Sequence, residues 1–415
     1  MSSAPDVVVV GAGAIGAACA LELAERGASV QVLERGEGWA HGCSAGNAGL
    51  IVPSHATPLA TPTALRDGLR WLGRKQSPFA LHPRPQLGPW LGRFILACAR
   101  SHRQDAVSLL RTLAAESLER WGQLVPEQLQ RSGVLCVYMG ERAFANARGE
   151  AAAHVAAGLR CEVLDASAAL ELEPALKGPL SGAVLHPDEA HGDPKELVAA
   201  LGAEACARGA RLRTGVEVRA VDRRGVRTAT ETIRAGRVVI ATGVAMRELL
   251  PSVPVVAAIG LSVDFHEGLA RPSRPLYLHD TRVVVTPLAG RTRLAGMLEL
   301  APPDVHPDTR RIEGVLAAAR RALAAQGSWR AAAPWVGLRP LAPDGLPIVG
   351  ALPAMPEVLL AGAHAMLGIT LAPVTGRLIA DAIDGHPVPA ELDPGRFRAL
   401  RRALVPIREE RHVAV

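Results

Sequence analysis

Three glycines at Gly11, Gly13 and Gly16 stand between the β-branched run Val7–Val10 and a helically periodic stretch from Ala17 to Arg26. Four consecutive valines suit a strand buried on both faces. After such a strand, Gly11 permits a tight turn, Gly13 lets the backbone approach a pyrophosphate, and Gly16 allows close helix–strand packing. Ala14 and Ile15 then lie in a helix N-terminus, whose free N–H groups and partial positive charge attract an anion. A second strand, Val30–Leu33, ends at Glu34 with Arg35 behind it. A carboxylate there accepts hydrogen bonds from both ribose hydroxyls. The unit binds a dinucleotide, and this fingerprint is shared by NAD and FAD sites.

Arg339 is the second group with chemical promise. It lies in the largely apolar stretch Trp335–Leu341, where an unpaired guanidinium is costly to bury. A ligand carboxylate can pair with it in bidentate geometry; an internal ion pair with Asp344 or Glu357 is the alternative. Around Asn47, Gly46 and Gly49 permit a backbone pressed against a flat ring, where a side chain would collide. Gly368, Ile369 and Thr370 precede a helix whose N-terminal amides can stabilise negative charge. His55 and His364 are candidates for facing a ligand, set against ordinary packed histidines.

The six cysteines (Cys19, Cys43, Cys98, Cys136, Cys161, Cys206) form no Cys-x-x-Cys pair and no Cys/His cluster. Their spacing argues against a metal centre and a disulfide framework, and fits a reducing compartment. The chain has 415 residues, is 49% hydrophobic and 21% charged, and carries a net charge of +6, which excludes disorder for most of its length. The basic charge is almost all arginine and forms no long run, so nucleic acid is not an expected partner. Residues 1–10 lack the pattern of a signal peptide, and no apolar stretch reaches the ~18 residues of a membrane span. The expectation is a cytoplasmic protein. Trp90–Ala99 is apolar enough to touch a membrane surface peripherally, while Arg93 and Arg100 fit a buried amphipathic helix equally well.

Several elements must position these groups. Helical periodicity covers Leu65–Leu72, Trp90–Gln130, Asp193–Gly209, Ile312–Ala325 and Pro373–Asp384. Strand patterns occur at Leu135–Met139, Arg211–Thr214, Glu217–Val221, Val238–Ala241, Leu261–Phe265, Val283–Thr286 and Glu357–Ala361. Parallel-type units at both ends enclose a mixed-sheet region, so one domain is assembled from discontinuous segments.

Four stretches in order resemble the FAD-dependent amino-acid oxidoreductases, the glycine oxidase, sarcosine oxidase and D-amino-acid oxidase type, and most closely the bacterial D-amino-acid dehydrogenases. They are Cys43-Ser44-Ala45-Gly46-Asn47-Ala48-Gly49-Leu50-Ile51-Val52-Pro53; Val238–Gly243; Trp335–Gly350 with Gly-Leu-Arg-Pro and Asp-Gly-x-Pro; and Gly362–Gly376. The resemblance covers nearly the whole chain. It implies FAD contacts from Ser44, Ala45, Asn47, Ala48, Gly49, Ala241, Thr242, Gly243, Gly368, Ile369 and Thr370. It also implies a backbone contact of Val218 with the adenine, and substrate-carboxylate binding by Arg339. In sarcosine oxidases a cysteine in the late loop tethers FAD; no cysteine follows Cys206 here, so FAD is expected to be noncovalent. A tyrosine meets the substrate carboxylate in glycine and D-amino-acid oxidases, and neither Tyr138 nor Tyr277 lies in an alignable stretch.

The fold expected is α/β: a Rossmann-like FAD domain from 1–60, 150–250 and 335–395, an α+β substrate domain with a mixed or antiparallel sheet from 61–149 and 251–334, and a tail at 396–415. The activity expected is oxidation of a D-amino acid to an imino acid and 2-oxo acid by hydride transfer to flavin N5, with the electron acceptor (quinone, dye or oxygen) and the oligomeric state open. D-proline, 4-hydroxy-D-proline, glycine or sarcosine as substrate are alternatives within the family. An NAD-dependent dehydrogenase and a tRNA-directed flavoprotein are alternatives from other classes.

Overall fold

The computed structural model describes residues 4–71, 77–99, 103–301 and 309–401. Two sheets face each other across the middle of the molecule. The first has six strands, in the order Ile348–Leu352, Met355–Gly362, Arg237–Ile240, β1 (Val7–Val10), β2 (Val30–Leu33), Arg211–Arg213. All pairings are parallel except that between Ile348–Leu352 and Met355–Gly362. Alternation along β1 explains its valines: Val7 and Val9 enter the core under helix α1 (Ala14–Glu25), while Val8 and Val10 enter a separate core on the other face. Helices Pro194–Ala207 and Ala372–Ile383 pack beside α1. An antiparallel meander, Ala220–Asp222, Gly225–Arg227 and Thr232–Arg234, belongs to the opposite face.

The second sheet has ten strands, running from Ala325–Ala331 through Val256–Leu269, Arg291–Leu300, Val283–Leu288, Leu276–Leu278 and Val134–Tyr138 to Gly182–His186 and Glu162–Asp165. Trp335–Leu341 pairs antiparallel with Val256–Leu269, and Phe79–Leu81 pairs with Arg291–Leu300. One face buries Leu261, Leu294, Val285, Leu276 and Leu135 against helix Thr309–Ala322. Because directly opposed residues share a face, the register Trp335–Ser262–Ala295–Val284–Tyr277–Cys136 lies on the other side, toward the nucleotide-type sheet.

The α/β class and the discontinuous assembly agree with the sequence reading, but the segment boundaries shift. Glu162–Asp165 and Gly182–His186 lie in the larger sheet, although they fall within 150–250. Trp335–Leu341 also belongs there. The helical stretch Trp90–Gln130 divides into Gly88–Ala99 and Arg103–Leu124, and the latter packs on Ala372–Ile383 in the nucleotide-domain core. Local periodicity identifies these elements, whereas the sheet each one joins is decided by long-range register. Arg100 and the end of the 396–415 tail lie outside the described residues.

Six described histidines, His154 among them, are buried or half-buried in forms that resist protonation. Burial, the largest cause in each, lowers His55 and His364 to about 3, and His186, His191 and His279 to about 4. Their stabilising contribution is present above the unfolded value near 6.5 and is lost as pH falls toward 4. Glu189 is opposite in sign. Burial raises it to about 8, so its contribution holds below the ordinary carboxyl range and is lost as pH rises toward 8. Thermal unfolding from pH 4.5 to 8.5 should therefore give a maximum Tm near 6.5, and Glu189→Gln should flatten the alkaline limb alone. A profile without an acid limb would contradict the histidine assignment.

Candidate active site

The Gly-rich turn lies at the carboxyl end of β1. Gly11 has φ +102°, and a Cβ there would come within 2.8 Å of the Ala241 carbonyl oxygen; one on Gly16 would lie 1.8 Å from the Gly11 oxygen. Glycine is therefore demanded by geometry at both positions. Gly13 precedes α1, whose first turn carries no acidic residue, so its positive end is not neutralised locally. The Ala14 N–H donates to Ser44 Oγ at 3.1 Å, tying the helix start to the 43–49 segment, and Ile15 is half-buried beside it. Glu34 is fixed by two backbone donors, Ala12 N–H at 2.7 Å and Gly36 N–H at 2.8 Å. Its carboxylate is thus anchored beside the turn with further acceptor capacity. Arg35 is exposed at the rim, and Val216 donates its N–H to the Glu34 carbonyl, which brings the half-buried Val218 near the same end.

Ala241, Thr242 and Gly243 (φ +59°) close the adjoining edge, after Arg237–Ile240. Thr242 Oγ1 is buried with no hydrogen-bond partner. Such an orphaned hydroxyl is expensive unless a ligand engages it. The Gly11–Gly16 cradle, the anchored Glu34 and this hydroxyl fit an FAD-type dinucleotide.

From Ser44 the chain runs as a floor beneath the large sheet. Arg293 grips it by donating to the carbonyls of Ala45 (3.1 Å) and Asn47 (3.0 Å), and Thr286 Oγ1 donates to the Ala48 carbonyl at 2.8 Å. Asn47 Oδ1 accepts the Gly49 N–H. Arg293 is itself held in a fork by Asp264, at 2.7 and 2.9 Å. Burial alone would raise the Asp264 carboxyl, but hydrogen bonds from Arg293 and Arg291 outweigh it and hold the group below its usual range. Gly46 lies against the Trp335 indole, where a Cβ would approach to 1.9 Å, and Gly49 lies against the Gly192 carbonyl. A cavity of about 310 Å³ opens between Ala45 on the floor and Ser262, Asp264, Arg293 and Trp335 on the roof.

Arg339 lies on the same roof face as Trp335, half-buried and within electrostatic reach of Cys43 at the start of the floor. Neither expected ion pair exists: Asp344 is engaged by Arg396 at 2.8 Å, and no described carboxylate lies within ion-pair distance of Arg339. Its Nη1 donates instead to the Met297 carbonyl at 2.6 Å. Met297 has φ +67°, a strained value for a non-glycine residue, at a register shift in strand Arg291–Leu300. A Cβ on Gly260 would lie 2.2 Å from Arg339 Cζ, so that glycine makes room for the guanidinium. Burial lowers the Arg339 pKa and Cys43 partly offsets this, while the group stays charged. A buried cation without a carboxylate is a prepared anion site.

The loop at 363–371 closes the cleft. Trp121 Nε1 donates to the Ile369 carbonyl at 2.9 Å, and Thr370 Oγ1 to the Leu50 carbonyl at 3.1 Å, placing Gly368–Thr370 and the helix start beside the floor. His364 is committed elsewhere. Thr375 Oγ1 donates to the Leu371 carbonyl, so His364 Nε2–H donates to Thr375 at 2.9 Å. Its buried ring pins the loop. His55 ends the floor: Nδ1 meets Ser54 Oγ at 2.9 Å and the ring lies edge-on to Tyr277, 4.9 Å between centroids. Arg293, Asp264 and Trp335 were not singled out as site residues from the sequence. A signal was present: opposite charges inside two apolar strands, Val263-Asp264-Phe265 and Thr292-Arg293-Leu294.

Residues 6–382 match the family described as FAD dependent oxidoreductase, DAO. The chain is 34% identical over 411 residues to a D-amino acid dehydrogenase of Paramagnetospirillum magneticum, covering 93% of this chain and 97% of that one. It is 35% identical over 409 residues to D-amino acid dehydrogenase 2 of Ralstonia nicotianae, covering 91% and 96%. Among solved structures, glycine oxidase from Bacillus cereus superposes with a TM-score of 0.74 at 22% identity, over 94% of this chain and 99% of that one. L-proline dehydrogenase from P. horikoshii gives 0.72 at 18%, over 96% and 99%.

Glu34→Ala should weaken FAD binding about tenfold or more, since hydrogen bonds to a charged group are strong. Fluorescence titration of the apoprotein with FAD measures this. An unchanged Kd would restrict Glu34 to tying Ala12 to Gly36.

Proposed function

The chain belongs to the DAO family of FAD dependent oxidoreductases, and from that premise we propose that it oxidises a D-amino acid to the imino acid, which water hydrolyses to the 2-oxo acid and ammonia. The observation that carries this reading is the carboxylate-free guanidinium of Arg339 in the internal cleft. The names of the relatives at 34% and 35% identity support the D-amino acid as substrate.

Gly11–Gly16 would take the pyrophosphate, Glu34 the ribose, Val218 the adenine end, and Ser44–Gly49, Ala241–Gly243 and Gly368–Thr370 the remainder of a noncovalently held FAD. FAD when bound supplies the two-electron acceptor that takes the Cα hydride. The residues of the chain contribute placement and electrostatics. Arg339 fixes the substrate carboxylate in two-point geometry, so Cα is presented in one orientation. Its charge and the burial of the cleft both lower the pKa of the substrate ammonium, favouring the neutral amine needed for hydride loss. The N-terminus of Ala372–Ile383 offers a positive dipole end where negative charge accumulates on the cofactor side.

We also place a peripheral membrane contact on helices Pro62–Trp71 and Gly88–Ala99, which pack on each other and expose Leu69, Ile95 and Leu96. From Trp39 to Gln104 the chain has seven arginines and Lys75 against one acidic residue, Asp67, which Arg282 engages. Exposed apolar residues within a basic stretch of sequence suit an anionic bilayer surface.

Arg339→Lys keeps the charge but loses the planar fork. Flavin reduction by a D-amino acid should slow on the order of a hundredfold, benzoate should no longer perturb the flavin spectrum, and FAD content and Tm should stay near wild type. Normal benzoate binding and reduction in the variant would displace the substrate site from Arg339. For the membrane contact, the protein should sediment with vesicles containing anionic phospholipid and not with zwitterionic ones. Leu69→Ser/Ile95→Ser/Leu96→Ser should abolish that binding without altering flavin reduction; equal binding to both vesicle types would refute the contact.

A further inference from the structure

Arg339 does not point straight out of its strand. Its guanidinium passes over Gly260 of the neighbouring strand and donates to Met297 of the one beyond. The strand Val283–Leu288 alone then separates its tip from the strand of Tyr277. At the usual strand spacing this leaves about 10 Å across the sheet, roughly what a small amino acid spans. Ala295 and Val284, on the same face, provide an apolar surface between the two ends.

The Tyr277 end is chemically distinct. Arg282 Nη1 donates to the Tyr277 hydroxyl at 3.2 Å, so the hydroxyl proton is left free to donate. No described residue accepts it. Arg282 adopts φ +56° and its Nη2 also reaches Asp67 at 3.4 Å, which holds the guanidinium in place. His55 closes the recess against the Tyr277 ring, its Nδ1 already engaged by Ser54 and its Nε2 facing Cys136 Sγ at 3.6 Å. His279 lies 6.2 Å from the Tyr277 ring, between centroids. The recess thus presents one free O–H donor and a cation beside neutral imidazoles, with Asp67 committed to Arg282.

We propose that Tyr277 is a specificity-determining residue of this cleft, whose hydroxyl, set by Arg282 beside His55, selects substrates with a side chain ending in a neutral hydrogen-bond acceptor such as a hydroxyl or amide. The inference rests on the reading of Arg339 as the carboxylate clamp. An apolar side chain of equal size leaves the donor unpaired, and a cationic one meets Arg282.

The test uses the FAD-loaded enzyme. Anaerobic flavin reduction should favour D-serine over D-alanine and D-asparagine over D-leucine by about tenfold, the scale of one hydrogen bond, with D-lysine poorest. Tyr277→Phe retains the ring and removes the donor. It should bring the D-serine to D-alanine ratio close to one while leaving FAD content and Tm near wild type. As a readout independent of turnover, 3-hydroxypropionate should perturb the flavin spectrum at lower concentration than propionate, and the variant should erase that difference. Equal slowing of D-serine and D-alanine in the variant would instead assign Tyr277 to the shared part of the substrate and overturn the proposal. A preference for D-aspartate over D-asparagine would overturn it in favour of an anion recess. If no D-amino acid reduces the flavin, the substrate reading fails, and the two carboxylates still decide whether the recess reads a hydroxyl.

Discussion

The large sheet is fastened to the 43–49 segment chiefly at one buried side chain. Arg293, 6% exposed, is gripped by Asp264 on its own sheet and grips the Ala45 and Asn47 carbonyls of the floor. Both ends of the bond are therefore built into opposite walls of the cleft. Removing one member of a buried charge pair leaves the other uncompensated, at about 3–5 kcal/mol. The clasp acts together with the Thr286–Ala48 hydrogen bond. It brings Gly46 under Trp335, leads the floor toward Tyr277 at His55, and keeps the dinucleotide cradle beside the roof that carries Arg339.

Arg339 obeys the opposite rule. Where Arg293 is fully partnered, Arg339 has one carbonyl and no carboxylate, and the backbone is arranged to keep it so. Gly260 yields space, and Met297 accepts a left-handed conformation to aim its carbonyl. Two arginines on strands of one sheet are thus divided between holding the architecture and remaining without a carboxylate partner among the described residues. A local violation of the pairing rule, surrounded by consistent packing, is where function is expected. The histidines follow the same division: His364 is consumed in pinning the loop that carries Gly368–Thr370, and His55 borders the cleft in neutral form.

The dinucleotide unit was legible because its determinants are local. Val7–Val10, the three glycines and Glu34 lie within one strand–helix–strand passage, whose turn geometry is set by neighbouring residues. Arg339 could be singled out by its apolar surroundings, but its freedom from an ion pair could not. Asp344 is nearby in sequence and is taken by Arg396, which approaches from beyond helix Ala372–Ile383. The clasp and the Tyr277 recess were illegible for a related reason. Arg293 meets Asn47 across 246 residues, and His55 meets Tyr277 through strand register. The same dependence moved Gly182–His186 and Trp335–Leu341 into the larger sheet, since a strand's own residues do not state which sheet it will join.

On the proposed reading, the guanidinium of Arg339 recognises an amino-acid carboxylate and thereby presents Cα to the flavin. Anaerobic titration of the FAD-loaded protein with D-alanine, L-alanine and D-alaninamide tests it most directly, since the amide retains the amine, the Cα–H and the configuration but lacks the anion. The account predicts bleaching of the flavin by D-alanine and none by the other two at the same concentrations. Bleaching by D-alaninamide as fast as by D-alanine would contradict it, because the carboxylate would then have no part in placing the substrate.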